Sequence, residues 1–595
     1  MSFVWTKQEL NAEQTAAVHE EESVFVIACP GSGKTRTLTY KIAYELSRVR
    51  RRNQYIIALT YTHRAADEIR ERIEELGVDA SQLWIGTIHS FCLEWILKPY
   101  GIYEPELAHG FSIVDGHEQQ VLLENICSAY QGISYWDCGY FFADDGYILG
   151  CPDRAKHARL HEILKIYFDR LFAERKIDFE LILYYAFRLI KSQPQIANLL
   201  SNIFPWVLID EYQDTKKIQY SVVAAIVRAG AGRTKAFVVG DPNQAIYGSL
   251  GGFAMSVVDF RALCNVHIVE LELSDNYRST DRLIKYFSNF NVQPTGVRGA
   301  APHSAFPSTV AYNSTLQKVG LEDELVKIIK ISIAQGFPPS EICVLAPSWI
   351  LLAAVTRRLV AALPEYQFDG PGMTPFSRDP ENFWYRLSRV ALTEASPLIY
   401  IRRMRWAAAV IKDMDSAGID VTNLSAKKLL REANSIKLSE VDGLLYLREF
   451  FLTLMIRLDI NWTSHNLLVD HHQAFFDSSA AKISRLREEG SEFIGGIDFF
   501  RKVFRPRTGI TVNTIHGVKG GEFDVVIAYG LLQDMVPHFS DPDGVNSAKK
   551  LLYVVCSRAR KHLYLISENG RNKRFRGQYA PTESLLQCVF NYNKA

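Results

Sequence analysis

An α/β protein is what this sequence predicts: two halves built on parallel sheets, each interrupted by a mainly helical insertion. Three observations carry that expectation. The first ~90 residues alternate short apolar runs with amphipathic helical patterns, the sequence form of a parallel sheet covered by helices. The same alternation resumes at Trp206–Asp210 and Ala236–Gly240, after a stretch from Phe91 to Phe204 that reads as mainly helical. A second set of strands then runs from Ile342–Ala346 to Val525–Ile527, divided in its turn by a helical stretch from Glu381 to Phe500.

Each element has a local reason. Val24–Ala28, Tyr55–Thr60 and Leu83–Thr87 are apolar runs closed by turn residues, as buried strands are. Between the last two, a helix from Ala65 to Leu76 places Ile69, Ile73 and Leu76 on one face and sets Glu68 four residues before Arg72. Glu118–Tyr130 and Leu160–Phe172 carry helical periodicity inside the first insertion. Val292–Ser308, rich in Pro, Gly and Ala, reads as a surface loop, and Phe368–Pro375 as a second breaker-rich crossing. Ile510–Val512 returns to strand, and a last helix and strand lie near Leu551–Ile566. No repeat of fixed period and no low-complexity tail is present. The expected division is 1–90 with 205–267 as the first core and 91–204 as its insertion. The second core is 268–380 with 505–595, and 381–504 is the second insertion.

At 595 residues the chain exceeds what one hydrophobic core organises, so roughly three to four domains are expected. Hydrophobic content of 48% with 22% charged residues fits a globular protein. A net charge of +1 gives no global attraction to nucleic acid, so any such binding needs local basic surface. Nine cysteines are scattered without a Cys-x-x-Cys pair, which argues against structural zinc or an iron–sulfur cluster and for a reducing compartment. Met1–Lys7 lacks the charged and apolar regions of a signal peptide, and no apolar run reaches membrane-spanning length. A cytosolic protein with no membrane partner is expected.

The chemistry concentrates at strand ends. Val26–Ala28 meets Cys29-Pro30-Gly31-Ser32-Gly33-Lys34-Thr35 and then a helix. Glycines let backbone N–H groups close around a phosphate chain, Lys34 can reach the β- and γ-phosphates, and the Thr35 hydroxyl can hold Mg²⁺. Asp210-Glu211-Tyr212-Gln213-Asp214 follows an apolar strand; Asp210 suits the metal, and Glu211 suits orienting and deprotonating a water. Gln244, in Gly240-Asp241-Pro242-Asn243-Gln244, could contact a γ-phosphate and register its loss. Arg278 and Arg558, far apart in the second half, could stabilise transition-state charge across a cleft, an effect worth about 10³–10⁵ in rate, although on spacing alone a solvated surface charge is the more ordinary reading.

With these residues in view, the ordered set resembles the UvrD/Rep/PcrA branch of superfamily 1 helicases. Leu10–Val18 resembles the family's Q-motif, with Gln14 on adenine. Ala28, Cys29, Pro30, Gly31, Ser32, Gly33, Lys34 and Thr35 match its phosphate loop, Ala28 included, and Arg36 follows as a further nucleotide contact. Ala58–Ala66 resembles motif Ia, Gly86–Cys92 motif Ib, Asp210–Thr215 motif II, Gly240–Tyr247 motif III and Asn276–Thr280 motif IV. Thr514–Asp524 resembles motif V, and Tyr553–Arg560 motif VI. The resemblance implies two RecA-like core domains, ATP in the cleft between them, and single-stranded DNA across the top of both. By the same match Tyr277 stacks on adenine, Glu522 approaches the ribose, and Arg278 with Arg558 grips the γ-phosphate.

DNA contacts implied by the match are Tyr61, Thr62 and Arg64, then His89, Thr514 and His516. Tyr61 is the base-stacking candidate, although Ile57 and Leu59 beside it are buried types and a core aromatic also fits. Arg48–Arg52, Arg402–Arg405 and the group Arg501, Lys502, Arg505, Arg507 are candidate phosphate contacts. Three departures stand out. After Tyr247 the family carries an aromatic, Arg and Gly, where this chain has Gly248-Ser249-Leu250-Gly251; Ala548 replaces an acid, and Gly521 a leucine. The leading expectation is therefore an ATP- and Mg²⁺-dependent 3′→5′ helicase or translocase on single-stranded DNA and duplex/single-strand junctions. The loss in motif III argues against processive unwinding. The alternative is a DNA-sensing ATPase that licenses a partner nuclease, as compact relatives do beside OLD-family nucleases in Gabija-type antiphage systems.

Overall fold

The computed structural model describes residues 5–6, 9–370, 374–376, 379, 381–488, 492–505, 508–541, 543–573 and 577–593. Pro371, Gly372, Met373 and Arg507 lie outside them, as do Met1–Val4 and Lys7. The first sheet has six strands: β1 (Ser23–Ala28), β2 (Ile56–Thr60), β3 (Leu83–Thr87), β4 (Trp206–Asp210), β5 (Lys235–Gly240) and β6 (Ile268–Leu273). Their order is β6-β1-β5-β4-β2-β3, and every pairing is parallel. One face packs Ala17 of α1 (Ala12–His19), Leu38 and Ile42 of α2 (Lys34–Leu46) and Ile69 and Ile73 of α3 (His63–Glu75) against Val24, Val26, Ala58 and Leu208. The opposite face, with Phe25, Ile57, Leu59 and Ile209, shares one continuous core with the first insertion. Burial on both faces explains why these strands read as unbroken apolar runs.

The chain divides into two compact units, Met1–Phe337 with Val344–Pro347 and Thr514–Ala595, and Pro338–Cys343 with Ser348–Asn513. Besides the first sheet, the first unit holds a second lobe. There β12 (Ala559–Ile566) lies between β7 (Val310–Asn313) and β11 (Phe523–Ala528), all parallel. The carbonyls of Leu345 and Ala346, at the end of β8 (Ile342–Ala346), accept the N–H groups of Tyr529 and Ile515, each at 3.0 Å. The second unit is mainly helical. Its core surrounds Trp384, whose indole N–H donates to the Leu468 carbonyl at 2.8 Å. Its short β9 (Phe368–Asp369) runs parallel to β10 (Ile510–Thr514).

Several expectations need correction. Ile268–Leu273, assigned to the second core, is the edge strand of the first sheet, held along the whole of β1. Its alternating half-exposed pattern, unlike its neighbours', hid that placement. The first insertion is not all helix: Tyr140–Ala143 and Gly146–Leu149 form an antiparallel hairpin around Asp144-Asp145-Gly146. The Asp-Gly pair between aromatic runs was the signal for it. Within Arg402–Arg405, Arg403 is 3% exposed and donates to the Val390 carbonyl, so it is no phosphate contact. The helix expected from Ala65 starts at His63, because the Thr62 hydroxyl accepts the Ala65 N–H at 3.2 Å and caps it. No helix among the described residues is long and apolar enough to cross a membrane.

Candidate nucleotide and nucleic-acid site

Three neighbouring strands of the first sheet, β1, β5 and β4, end side by side, so their C-terminal loops converge. In a parallel sheet this edge is where ligands bind. After β1 the loop turns at Gly31 (φ +68°) and Gly33 (φ +78°), and Gly33 caps α2. The Ser32 hydroxyl closes the loop on the Cys29 carbonyl at 2.8 Å. Cys29 is buried, which pushes its thiol up to about 12. Gln14 is 3% exposed: its amide oxygen accepts the Asn11 N–H at 3.0 Å, and its amide nitrogen donates to the Ser32 carbonyl at 2.8 Å. Gln14 thus props the loop and keeps one amide hydrogen for a ligand.

The acids sit opposite. Asp210, 5% exposed, accepts the Glu211 N–H at 3.0 Å; burial, reinforced by the Glu211 charge, raises its pKa. Glu211 takes a left-handed conformation (φ +51°) that turns its side chain off the strand axis. Burial alone would raise its pKa too, but Lys34, Lys519, the Gln213 amide and Arg558 hold it below the usual value. The environments of Asp210 and Glu211 therefore push their pKa values apart, the first upward and the second downward. Asp241 after β5 is fully buried; it accepts from the Gln244 amide at 2.7 Å and from the Asn243 N–H at 3.0 Å. Lys34 lies half-buried at the start of α2, and its charge favours the ionised forms of Asp210, Glu211 and Asp241.

The second lobe reaches this loop directly. Asn276 donates to the Pro30 carbonyl at 2.6 Å, and the Tyr277 N–H to the Gly31 carbonyl at 2.9 Å. Arg278 lies so close to Gly31 that a Cβ there would sit 2.6 Å from its own Cβ. Its guanidinium pairs with Glu522 and donates to the Ser557 carbonyl at 3.0 Å, and its buried Nε has no partner. Arg558 is 2% exposed and donates to the Gln244 side-chain oxygen at 2.7 Å and to the Val554 carbonyl at 3.1 Å. Burial, with Arg278 nearby, pulls its pKa down to about 9. Gln244 consequently links Asp241 of one lobe to Arg558 of the other. Tyr277 is 41% exposed, and its hydroxyl accepts from Asn11.

Lys519 was quoted within motif V without a role, yet its ammonium meets Asp214 at 2.5 Å and the Gln244 carbonyl at 2.8 Å. Burial lifts the Asp214 carboxyl to about 6 despite that ammonium, and its second oxygen is buried without a partner. Only spatial proximity reveals this pair, since 305 residues separate its members. Asn276 and Glu13 were missed likewise; Glu13 accepts from Ser274 at 2.6 and 2.7 Å. Thr35 and Asp210 offer oxygen donors that suit a hard divalent cation, which takes few protein ligands.

The DNA candidates line the neighbouring surface. Tyr61 is 45% exposed, so it is not the core aromatic its neighbours suggested, and it stacks on Tyr247 at 5.2 Å and 26°. The Tyr247 hydroxyl donates to the His516 carbonyl at 3.1 Å, and Lys519 lies over its ring at 5.4 Å. Thr62 and Arg64 are exposed. His89 is half-buried, its pKa pushed down to about 3 by burial with Lys216 and His63 adding, which makes it a neutral group. The Thr514 hydroxyl accepts the Gly517 N–H at 3.0 Å. In the second unit, Arg505 pairs with Glu394 at 2.6 Å and Arg501 stands over the Tyr446 ring.

The UvrD/REP helicase N-terminal domain family matches residues 10–137 and 148–261, and the UvrD-like helicase C-terminal domain family matches residues 501–570. The ATP-dependent DNA helicase PcrA of Staphylococcus epidermidis is 23% identical over 625 residues, covering 95% of this chain and 84% of that protein. PcrA of Leuconostoc citreum is 25% identical over 651 residues, covering 96% and 83%. PcrA of Bacillus subtilis is 30% identical over 296 residues, covering 46% and 38%.

Proposed function

Because this chain belongs to the UvrD/Rep family of DNA helicases, we propose that it moves 3′→5′ along single-stranded DNA on ATP hydrolysed between its two lobes. Membership makes it an ATP-hydrolysing DNA helicase. One observation carries the rest: Arg278 and Arg558 of the second lobe stand against Gly31 and Gln244 of the first.

In this reading the N–H groups of Cys29–Thr35 and the Lys34 ammonium hold the β- and γ-phosphates. Gln14 and Tyr277 flank the base, and Arg36 and Glu522 line the same site. Thr35 and Asp210 hold Mg²⁺, which when bound neutralises phosphate charge. Glu211, kept ionised by its cationic neighbours, orients a water and takes its proton as the water oxygen attacks the γ-phosphorus and ADP departs. Arg278 and Arg558 take up the charge that develops on the γ-phosphoryl oxygens. Loss of that group frees both arginines, and Gln244 passes the change to Asp241. On the DNA side Tyr61 and Tyr247 supply base-stacking faces, with Thr62, Arg64, His89, Thr514 and His516 around them. Lys519 couples the two regions, touching the Tyr247 ring, Asp214 and Gln244 at once.

ATPase measured with and without oligo(dT) tests the motor, and strand displacement on duplexes with 3′ or 5′ tails tests polarity. Lack of stimulation by single strands, or displacement on 5′ tails alone, would overturn the reading. Gly248-Ser249-Leu250-Gly251, without an aromatic, favours a second reading, an ATPase that senses DNA and regulates a nuclease. ATP hydrolysis without displacement, restored by a nuclease partner, would decide for it.

A further inference from the structure

Above the acids, the first core and its insertion enclose a cleft of about 710 Å³ lined by Tyr61, Trp136, Phe141, Lys216, Tyr247 and Leu250 among others. Its rim is strongly apolar and open to water: Trp136 is 80% exposed, Leu250 58% and Tyr61 45%. Large apolar side chains gathered at one exposed cleft mark a binding surface rather than a core.

The turn that carries Trp136 is fixed. It spans Tyr135–Asp137 and is closed by the Asp137 carboxylate accepting the Ser134 N–H at 2.9 Å. Lys156 pins that carboxylate at 2.7 Å, and the Tyr135 ring packs edge-on against the indole at 5.3 Å. Phe141, on the hairpin that follows, rests on Gly251. A Cβ at Gly251 would stand 2.8 Å from that ring, and its φ of +89° also demands glycine. An isolated bridge between Lys216 and Gly252 fastens the same loop. The loop that lacks an aromatic of its own is thus the one against which the insertion places Phe141, with Trp136 nearby. The N-terminal family match breaks off after residue 137 and resumes at 148, across most of this hairpin.

We propose that Trp136, with Phe141 and Leu250 beside it, is the platform for one nucleobase of the bound single strand, supplied by the insertion instead of by residues 248–251. This rests on the single-strand reading above and adds a residue to it. The electrostatics select the base over the backbone. Lys216, the cation in this lining, is already paired with Glu180 and Asp214 with Lys519, so a phosphate meets no unpaired partner there while the apolar ring faces accept a base.

The test uses the full chain and a duplex with a single-stranded tail, the junction fixing register, in a series bearing one abasic site moved along the tail. Affinity is read by fluorescence anisotropy for the wild type, Trp136→Phe and Trp136→Ala. Trp136→Ala is expected to weaken binding by about 5- to 150-fold, the stacking of one base, and Trp136→Phe to retain most of the affinity. One abasic position should weaken the wild type and cost Trp136→Ala nothing further. Exposure of the indole predicts unchanged melting of both variants. Wild-type affinity in Trp136→Ala, or an abasic penalty that persists in it at every position, overturns the platform and leaves the motor intact. A wild type that binds no tail overturns both, and is distinguished by that failure.

Discussion

Alanine at Gly31 probes the grip between the lobes. The added Cβ would stand 2.6 Å from the Arg278 Cβ, 3.2 Å from its backbone nitrogen and 3.3 Å from the Asn276 amide nitrogen. The Arg278 Cβ and nitrogen are fixed to the main chain and the Asn276 amide is tied to the Pro30 carbonyl, so Asn276–Arg278 as a whole must retreat. Two costs separate. The φ of +68° costs an L-residue about 1–2 kcal/mol, whether or not the lobes are together. The overlap adds about 1–3 kcal/mol and exists only while Arg278 is seated. At about 1.4 kcal/mol per tenfold, the second cost disfavours the assembled site by about 5- to 150-fold. Steady-state ATPase with oligo(dT) should show kcat reduced within that range, and nucleotide binding without turnover should fall less. Gly33→Ala is the control. Its φ of +78° carries the same backbone cost, but its Cβ falls nearest the Gln14 amide nitrogen at 2.7 Å, so the overlap displaces that prop within the first lobe and leaves Arg278 seated. Its defect should appear in KM for ATP rather than selectively in kcat. A Gly31→Ala protein with kcat within about twofold of wild type would refute the inter-lobe contact as a determinant of turnover.

Three further outcomes are expected. Arg558→Ala should lower kcat by about 10³-fold or more while sparing nucleotide binding better than Lys34→Ala; Arg558→Lys should fail almost as badly, since one ammonium cannot reach Gln244 and Val554 together. The ATPase of the wild type should decline as pH falls through about 6, where Asp214 protonates and releases Lys519, and Asp214→Asn should flatten that limb of the profile. For stability the sign is opposite. The folded carboxyl binds its proton more tightly than an unfolded one near about 3.9, so its contribution is full below about pH 4 and is lost as pH rises through about 6. Finally, Lys41→Ala should destabilise the first lobe by about 3–5 kcal/mol in denaturant unfolding, because it leaves the buried Glu45 carboxylate without its ammonium at 2.7 Å.

The strands around the triphosphate loop were legible because burial on both faces writes them as continuous apolar runs, and a glycine turn before Lys-Thr marks where one of them ends. The edge strand Ile268–Leu273 was not, since Glu270 and Glu272 break its apolar run by facing water and its register depends on β1, more than 240 residues away. The aromatic hairpin was passed over inside a helical background, although its Asp-Gly turn was in view. Of the site, Lys34, Asp210 and Glu211 could be singled out from local context, whereas Arg278 and Arg558 needed the family resemblance, since spacing alone leaves them as surface charges. The Lys519–Asp214 pair, the seat of Arg278 on Gly31 and the dual engagement of Gln244 could not.

By itself, then, the sequence determined the class of fold, the loop chemistry and the residues bearing charge, because those follow from patterns a few residues long. Only the tertiary structure decided which charges meet, which carboxylates stay ionised, and that an insertion brings Trp136 and Phe141 to a loop with no aromatic of its own. Pairing, burial and desolvation depend on distances between residues remote in the chain, and no local pattern encodes those distances.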